Sequence, residues 1–345
     1  MNIGIVIPSN LKHRVRGTGY YLENLKKAFL KYYPNNYSFI KAEDISSNLD
    51  LVHYPFFEPF FLTLPIFKKN KTIVTVHDLT PLVFSKFFPK GLRGLLKWQL
   101  QKIALKNSDA IITDSNSSKK DILKFVGVSD AKVKVVYLAP GEEFKKLKDL
   151  KSTQDLKNKY NLPEKFVLYV GDVTWNKNLP RLVKAIIKLD IPFVMVGKAL
   201  IEDNFDKDNP WNQDLVEVQK LVENNKKIKR LGFVSTSDLV GLYNLAAVFA
   251  MPSVYEGFGL PVLEAMSCGT PVVTTKKGSL HETTEGNAFY VDPYDIDNIA
   301  EGIKMIFMDD KMQKDFSQKG LNQAKKFTWQ KTARETLDVY KNVLE

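Results

Sequence analysis

The stretch from Pro252 to Thr275, PSVYEGFGLPVLEAMSCGTPVVTT, constrains the fold of this chain more than any other segment. It follows a short apolar run, Val248–Met251, that predicts a strand. Gly259 can take a positive φ or let a ligand approach the backbone, and Pro261 is tolerated in the first turn of a helix. A second glycine-proline break then precedes the β-branched run Val272–Thr275. We therefore predict a strand, a glycine loop, a short helix and a second strand.

Two acids lie in this unit, Glu256 in the loop and Glu264 about one turn inside the helix. A helix N-terminus presents unpaired N–H groups and the positive end of a dipole, and both favour anions. Taken alone, two such acids are more often a helix cap and a solvated side chain than binders of hydroxyl groups beside a phosphate.

The sequence EGFGLP at 256–261, followed by Glu264-Ala265, closely resembles the E-x7-E signature of the retaining glycosyltransferases of family 4. The resemblance extends over nearly the whole chain. It implies an α/β protein with the GT-B fold, in which two Rossmann-like, doubly wound parallel-sheet domains face each other across a cleft. It also implies retention of configuration at the anomeric carbon.

The remaining sequence agrees with two α/β domains. Strand-like runs alternate with helix-like segments in both halves, a pattern that indicates parallel βαβ units. A charged segment with few large apolar residues precedes Pro163 and marks the domain connection. We predict an acceptor-binding domain at 1–155 and a nucleotide-sugar-binding domain at 156–328. The resemblance assigns the amphipathic tail, 329–345, to the first domain.

His77 and Asp78 follow the predicted strand Thr72–Val76, and open α/β sheets bind ligands at the carboxyl ends of their strands. By resemblance, His77 hydrogen-bonds the transferred hexose, while Asp78 orients the loop or serves on the acceptor side. Gly17 and Gly19 match the G-x-G segment that family members place at the cleft, facing the donor diphosphate or the acceptor.

Lys177 and Asn178 are the phosphate-binding candidates of the second domain. The diphosphate that leaves a nucleotide sugar carries growing charge, which cations and backbone amides can neutralise. Lys177 comes at the start of a predicted helix, with Asn178 as the expected cap and Pro180 in the first turn. The pair resembles the Arg/Lys-Lys-Asn segment of the family.

Two positions depart from that family segment. Asp172 and Asn176 stand where relatives often carry arginine. Either Arg181, Lys198 or Lys276 supplies the missing cation, or the phosphate site is weak.

In the scheme proposed for this family, the leaving phosphate helps to deprotonate the acceptor hydroxyl. By resemblance, Glu256 then contacts the sugar and Glu264 the nucleotide ribose, and the amides of Phe258, Gly259 and Leu260 meet the phosphate or sugar. The implied activity is retaining transfer of a hexose from a GDP- or UDP-sugar to a saccharide or lipid-linked saccharide, in the synthesis of bacterial-type surface polysaccharide or glycan. Two alternatives stay open: a GT-B nucleotide-sugar epimerase, and a non-catalytic transferase-like binding protein.

No metal or other cofactor is expected. A metal site would need acidic ligands, and the chain offers two D-x-D triplets, Asp206–Asp208 and Asp295–Asp297. We interpret the first as part of a solvated loop and the second as a helix cap.

The net charge of +11 is uneven: residues 1–162 hold 27 Lys and Arg against 14 Asp and Glu. This excess fits an anionic membrane surface as a partner of the first half, or lysines that are merely solvated. Nucleic acid is not expected.

The chain opens without a recognisable signal peptide and has one cysteine, Cys268, expected to be packed. We expect a cytoplasmic protein, peripheral at the inner face of the membrane if it binds lipid. The aromatic run YPFFEPFFLTLPIF at 54–67 is either a packed loop or an apolar acceptor surface.

Overall fold

The computed structural model describes residues 2–7, 17–34, 37–149 and 153–345. The chain divides into two compact units: unit 1 comprises Met1–Ala139 with Phe327–Glu345, and unit 2 comprises Pro140–Lys326. The second unit begins before residue 156, where the sequence had placed its start, because the intervening segment packs on it. The Phe144 ring lies edge-on to a tyrosine of unit 2, and Leu147 N donates to an asparagine of the same helix at 2.8 Å.

Strands and helices alternate along both units. The strands are Ile3–Ile7 (β1), Tyr37–Lys41 (β2), Leu51–Tyr54 (β3), Lys71–Thr75 (β4), Ala110–Thr113 (β5), Val133–Val135 (β6), Val167–Val170 (β7), Phe193–Val196 (β8), Ile228–Leu231 (β9), Val248–Met251 (β10), Val272–Thr274 (β11) and Phe289–Tyr290 (β12). The α-helices are Gly17–Tyr32 (α1), Thr80–Val83 (α2), Gly91–Lys106 (α3), Asn116–Val126 (α4), Gln154–Tyr160 (α5), Leu179–Leu189 (α6), Gln213–Val222 (α7), Thr236–Leu245 (α8), Leu260–Ser267 (α9), Leu280–Thr284 (α10), Ile296–Met308 (α11), Asp310–Ala324 (α12) and Trp329–Leu344 (α13).

The sheet of unit 1 has six parallel strands in the order β2-β1-β3-β4-β5-β6. Its interior strands β3 and β5 are buried along their whole length, as expected for parallel strands covered on both faces. The strand order reverses beside β1, and ligands of open α/β sheets bind outside the carboxyl ends of the strands at such a switch point.

Helix α13 packs on unit 1 through buried polar contacts. Tyr340 OH lies 2.6 Å from His53 Nδ1, and Thr332 Oγ1 donates to Tyr137 O at 2.7 Å. Burial lowers the pKa of His53 to about 3, so this imidazole is neutral. His53 therefore has a structural role in holding α13.

The sheet of unit 2 also has six parallel strands, in the order β12-β11-β10-β7-β8-β9. The chain passes outward from β7 through β8 to β9, then returns to build β10, β11 and β12 on the other side. The switch point therefore lies between β7 and β10. The predicted strand, glycine loop, helix and strand are β10, residues 252–259, α9 and β11. The expected α/β class with two parallel sheets is confirmed.

Among the described residues, no helix is both long enough and apolar enough to cross a bilayer.

Candidate functional site

The loops after β7 and β10 bring a lysine and a glutamate into contact at the switch point of unit 2. Lys177 ends a 3₁₀ turn after β7, and Glu256 lies in the glycine loop after β10. Lys177 Nζ is 2.8 Å from Glu256 Oε2, and Ser253 Oγ donates to Glu256 Oε1 at 2.7 Å. The two side chains of the pair are 18% and 8% exposed, so water and salt screen it less than a surface ion pair. Two residues predicted for the site are thus in direct contact.

The main chain of Glu256 is fixed as well as its side chain. Ser279 N and Ser279 Oγ donate to Glu256 O at 3.2 and 3.0 Å. Gly278 has a φ of +58°, and a Cβ at that position would lie 2.7 Å from Glu256 O. Only glycine allows this close approach, so the turn after β11 holds the glycine loop in place.

Asn178 does not cap α6, as the sequence had suggested. It sits at the N-cap position with a φ of +59°, and its side chain makes no capping hydrogen bond. Its amide instead donates to Pro252 O at 2.9 Å and to Pro293 O at 2.6 Å, and its Oδ1 accepts from Arg181 Nη1 at 2.8 Å. Arg181 occupies the Oδ1 that could have accepted from the helix, and the carbonyls of two loops satisfy the N–H groups of the amide. Asn178 therefore braces the site.

Asn176 occupies a position where relatives often carry arginine, and here it is a second brace. Its side-chain amide donates to Tyr255 O at 3.0 Å, and its main-chain carbonyl accepts from Val254 N at 2.8 Å. Its Oδ1 accepts from Thr174 Oγ1 at 2.8 Å. The loop after β7 and the loop after β10 are thus joined by side-chain amides at both Asn176 and Asn178.

The three cations considered as substitutes differ in their surroundings. Arg181 is bonded to Asn178 and lies over the Tyr294 ring, 5.6 Å from its centroid. Lys276 lies 5.2 Å from the centroid of Tyr290. Lys198 is strongly exposed and pairs with Glu202 at 3.8 Å. Of these three cations, Arg181 is therefore the one whose side chain is hydrogen-bonded to the loop that carries Lys177 and Asn178.

Helix α9 begins at the end of the glycine loop. Phe258 and Gly259 are buried, and Leu260 is the first helical residue. Gly259 has a φ of +87°, and a Cβ there would lie 2.7 Å from Leu280 Cδ2. The glycine is required for both reasons, and it directs the positive end of the α9 dipole into the loop that carries Glu256.

Glu264 is buried inside α9, so the solvated reading of this residue is wrong. Tyr243 OH donates to Glu264 Oε2 at 3.0 Å. Burial raises the pKa of Glu264 to about 7, against the lowering effect of the Tyr243 hydrogen bond. Close to neutral pH this carboxyl therefore changes charge. A ligand whose hydroxyl groups donate hydrogen bonds to it would favour the ionised form.

In unit 1, the predicted His77 is paired with an acid that the sequence did not single out. His77 Nδ1 lies 2.7 Å from Asp114 Oδ2, and the Tyr21 ring packs edge-on to the imidazole, 4.9 Å between centroids. Burial lowers the pKa of His77, but Asp114, Asp78 and the Pro55 carbonyl outweigh it and leave that pKa raised. Asp114 fixes the ring orientation and directs Nε2 away from the acid.

Asp78 orients the loop after β4, one of the two roles expected for it. Its Oδ1 accepts from Thr80 N at 2.8 Å at the start of α2. Gly17 and Gly19 lie in the first turn of α1, which follows β1, and a Cβ at Gly17 would meet no atom within 4 Å. The basic residues at 12, 14 and 16 that precede them are outside the described residues.

Three supporting residues were not predicted: Asp114, Ser253 and Tyr243. Asp114 gave a usable signal, since it directly follows β5, the neighbour of β4 in the sheet. Ser253 and Tyr243 gave none, because each acts through a contact that exists only in the folded chain.

Among the described residues, no three His, Cys, Asp or Glu side chains come together in a way that could hold a metal ion. Asp295 Oδ1 accepts from Asp297 N at 2.8 Å and Asn298 N at 3.1 Å, which confirms the helix-cap interpretation. Cys268 is buried, and burial raises the pKa of its thiol to about 12, as expected for a packed side chain.

Two family models match the chain. One, described as "Glycosyl transferases group 1", matches residues 141–323, and the other, "Glycosyltransferase Family 4", matches residues 7–139. The first includes the Lys177 and Glu256 pair as well as Glu264, and the second includes His77.

Curated relatives carry transferase names. An "O-antigen chain mannosyltransferase B" of Escherichia coli is 30% identical over 276 residues, which cover 79% of this chain and 70% of that protein. A "Serotype-specific mannosyltransferase WbdA" of Escherichia coli is 28% identical over 287 residues, 80% of this chain and 34% of that protein. The matched region thus spans about a third of the length of WbdA.

Solved structures have the same fold. A sucrose-phosphate synthase from Thermosynechococcus elongatus superposes with a TM-score of 0.78 at 19% identity, covering 99% of both chains. The Anabaena protein HepE, solved with UDP and glucose, has a TM-score of 0.74 at 17% identity and the same coverage. With the two parallel sheets, this likeness establishes the two-domain GT-B fold.

Proposed function

Since this chain belongs to the group 1 glycosyl transferases, we propose that it is a retaining hexosyltransferase. It would move a hexose from a nucleoside-diphosphate sugar, GDP- or UDP-linked, to a saccharide or lipid-linked saccharide acceptor. The mannosyltransferase names of its relatives support a place in polysaccharide synthesis and a hexose as the transferred sugar.

The observation that carries the proposal is the Lys177 and Glu256 pair at the switch point of unit 2. Breaking the bond between a sugar and a diphosphate develops negative charge on the phosphate and positive charge on the anomeric carbon. A cation and a carboxylate 2.8 Å apart offer one group for each developing charge. The positive end of α9 lies in the same loop and adds to the attraction for phosphate.

We assign the donor contacts on this basis. Lys177 and the first turn of α9, with the amides of Phe258, Gly259 and Leu260, bind the diphosphate. Glu256 binds hydroxyl groups of the reacting sugar, held in place by Ser253 and by the turn at Ser279. Glu264 accepts from the ribose hydroxyls. Arg181 and Asn178 keep the two loops together.

The charges around the diphosphate come from protein groups in this scheme, so no metal ion is required. Retention follows if the acceptor hydroxyl attacks from the face that the diphosphate leaves, with the phosphate oxygen taking the proton of that hydroxyl. His77, oriented by Asp114, hydrogen-bonds the transferred hexose, and Gly17 and Gly19 of unit 1 approach the donor or the acceptor.

A ligand screen followed by product analysis tests the proposal. Thermal unfolding is measured with UDP, GDP and ADP at one common concentration. A nucleotide bound only to the folded state adds about 2.7 kcal/mol when that concentration is 100 times its dissociation constant, and one that binds weakly adds little. The stabilising nucleotide then defines which sugar donors are incubated with saccharide acceptors. Proton NMR of the product reports the anomeric configuration. An inverted product, or an epimerised nucleotide sugar formed without acceptor, would overturn the proposal.

One observation favours a second candidate, a binding protein without turnover. Asp172 and Asn176 stand where relatives often carry arginine, and Asn176 is occupied as a brace. Tight binding of a nucleoside diphosphate, without hydrolysis or transfer of any nucleotide sugar, would select this candidate.

A further inference from the structure

Helix α3 of unit 1 has an apolar face that packs inward and a second apolar face that is exposed. The inward face holds Gly94, Trp98, Gln101 and Leu105, all buried. On the opposite side, Leu92, Leu96 and Ile103 are 87%, 65% and 47% exposed. These three residues fall on one stripe of a helix with 3.6 residues per turn. Packing within unit 1 explains only the inward face.

The loop beside α3 adds two more exposed apolar side chains. Gln101 Oε1 accepts from Thr63 N at 2.9 Å and from Leu64 N at 3.0 Å, which fixes the loop against the helix. The preceding residues Phe61 and Leu62 are 58% and 63% exposed. Lys97 Nζ of α3 lies 5.6 Å from the centroid of the Phe61 ring.

We call Phe61, Leu62, Leu92, Leu96 and Ile103 the α3 patch. The sequence had left the aromatic run at 54–67 open between a packed loop and an apolar surface. It is both, because Phe57, Phe60 and Leu64 are buried while Phe61 and Leu62 face outward.

The charged residues of α3 and its flanking sequence have one sign. Between Asp78 and Asp109 the chain contains no acidic residue, and six basic residues lie between positions 86 and 106. They are Lys86, Lys90, Arg93, Lys97, Lys102 and Lys106. An amphipathic helix with leucines on its exposed face and only basic residues around them fits an anionic lipid surface, where the apolar side chains insert shallowly and the cations meet the headgroups.

We propose that the α3 patch is the part of this protein that docks on an anionic lipid bilayer, with α3 lying in the interface plane. The inference deepens the proposed function, because docking on a bilayer would bring the protein to a lipid-linked acceptor. In that respect it rests on the proposed function. Its test does not depend on turnover, because vesicle binding is measured without donor or acceptor.

The experiment is flotation with phosphatidylcholine vesicles and with vesicles that contain about one third phosphatidylglycerol. The wild-type chain should float with the anionic vesicles at low salt, much less at high salt, and little with neutral vesicles. The test variant is Leu92→Gln/Leu96→Gln, which removes apolar area without changing charge and keeps good helix formers. Its partition onto anionic vesicles should fall at least about tenfold, since shallow binding scales with the apolar area inserted.

The matched control is Leu30→Gln, because Leu30 on α1 of the same unit is 60% exposed and lies outside the patch. It should bind vesicles like the wild type. Both proteins should keep the wild-type thermal midpoint and the same stabilisation by nucleoside diphosphate, which separates lost docking from lost folding and from failure of the proposed function.

A second measurement reports insertion directly. Leu92→Cys and Leu30→Cys are labelled with an environment-sensitive dye, the native Cys268 being buried. The dye at position 92 should shift to the blue on anionic vesicles, and the dye at position 30 should not. Wild-type vesicle affinity in Leu92→Gln/Leu96→Gln would overturn the proposal. So would equal binding to neutral vesicles, or a dimer in solution that the same two substitutions dissociate, which would make the patch a protein interface.

Discussion

Lys177 Nζ and Glu256 Oε2 lie 2.8 Å apart, so two groups expected to contact different parts of a donor are bound to each other. The pair keeps a mostly buried cation and a mostly buried carboxylate compensated when no ligand is present. A bound diphosphate would take over as the partner of Lys177 and release Glu256 to the sugar. The first three predictions follow from this exchange.

Glu256→Gln should lower turnover by a factor on the order of 10²–10³, because a preorganised contact to the reacting sugar is lost. Nucleoside diphosphate affinity should be kept or should rise, since Lys177 is no longer neutralised by a carboxylate. Steady-state kinetics and calorimetric binding measure the two quantities. Glu202→Gln is the control, because it removes the acid of an exposed lysine pair in the same unit. Near wild-type turnover in Glu256→Gln would remove Glu256 from the site.

Lys177→Ala should weaken binding of a nucleoside diphosphate far more than binding of the bare nucleoside. The variant removes the cation and also leaves the Glu256 carboxylate unpaired beside the phosphate. Lys184→Ala is the control, since Lys184 lies on α6 and pairs with Glu217. Equal losses for both ligands would move the phosphate site elsewhere.

The double variant Lys177→Ala/Glu256→Gln should bind the diphosphate more tightly than Lys177→Ala alone, because the repelling carboxylate is gone. Contacting residues of this kind commonly couple by about 0.5–3 kcal/mol. Calorimetric titration of the wild type, both single variants and the double variant completes the cycle. Strict additivity would mean that the ion pair has no influence on phosphate binding.

Stability should fall as pH rises from about 4.5 to about 7, because of Glu264. Burial raises the pKa of this carboxyl from 4.5 to about 7, so the folded state holds a proton in that window that the unfolded state has released. The loss is at most about 3 kcal/mol, and stability from this group levels off above pH 7. Urea unfolding at pH 5 and pH 8 should show a smaller difference for Glu264→Gln than for the wild type, while Glu202→Gln keeps the wild-type difference. An unchanged difference in Glu264→Gln would mean that this carboxyl titrates normally.

Asp114→Asn should lower the pKa of His77, since the acid that favours the charged ring is removed. Turnover should fall by at least about tenfold, in line with the loss of one charged hydrogen bond. Imidazole NMR gives the titration midpoint. Nucleoside diphosphate affinity should not change, because His77 is assigned to the hexose of the donor and not to its nucleotide. Asp130→Asn, an exposed acid of unit 1 paired with Lys119, is the control. A His77 midpoint equal to that of the wild type would contradict the positioning role of Asp114.

The sequence was sufficient for the α/β class, the bounds of most elements and the loop that carries the two acids. The run Val248–Met251 was predicted as a strand with the ends that the structure gives. Such elements are set by local patterns of apolar residues, glycine and proline, which are readable without tertiary contacts. The strand Tyr37–Lys41 was missed because none of its residues is buried and it lies at the edge of its sheet. Phe289–Tyr290 was missed because two residues carry no periodicity.

What only the tertiary structure decided is how the polar side chains of the site are used. The sequence determined that Lys177, Asn178, Glu256 and Glu264 stand in loops and a helix of the second unit, because motif spacing fixes local geometry. The parallel strands β7 and β10 are neighbours in the sheet, although 77 residues of sequence lie between the end of β7 at Val170 and the start of β10 at Val248. This long-range pairing makes Lys177 the partner of Glu256 and turns Asn178 from a cap into a brace. Glu264 is buried against Tyr243 because the helices before and after β10 pack together. Hydrogen bonds and ion pairs form only between groups a few ångströms apart. The loops that come this close are those that follow neighbouring strands, and the strand order of the sheet is a tertiary property.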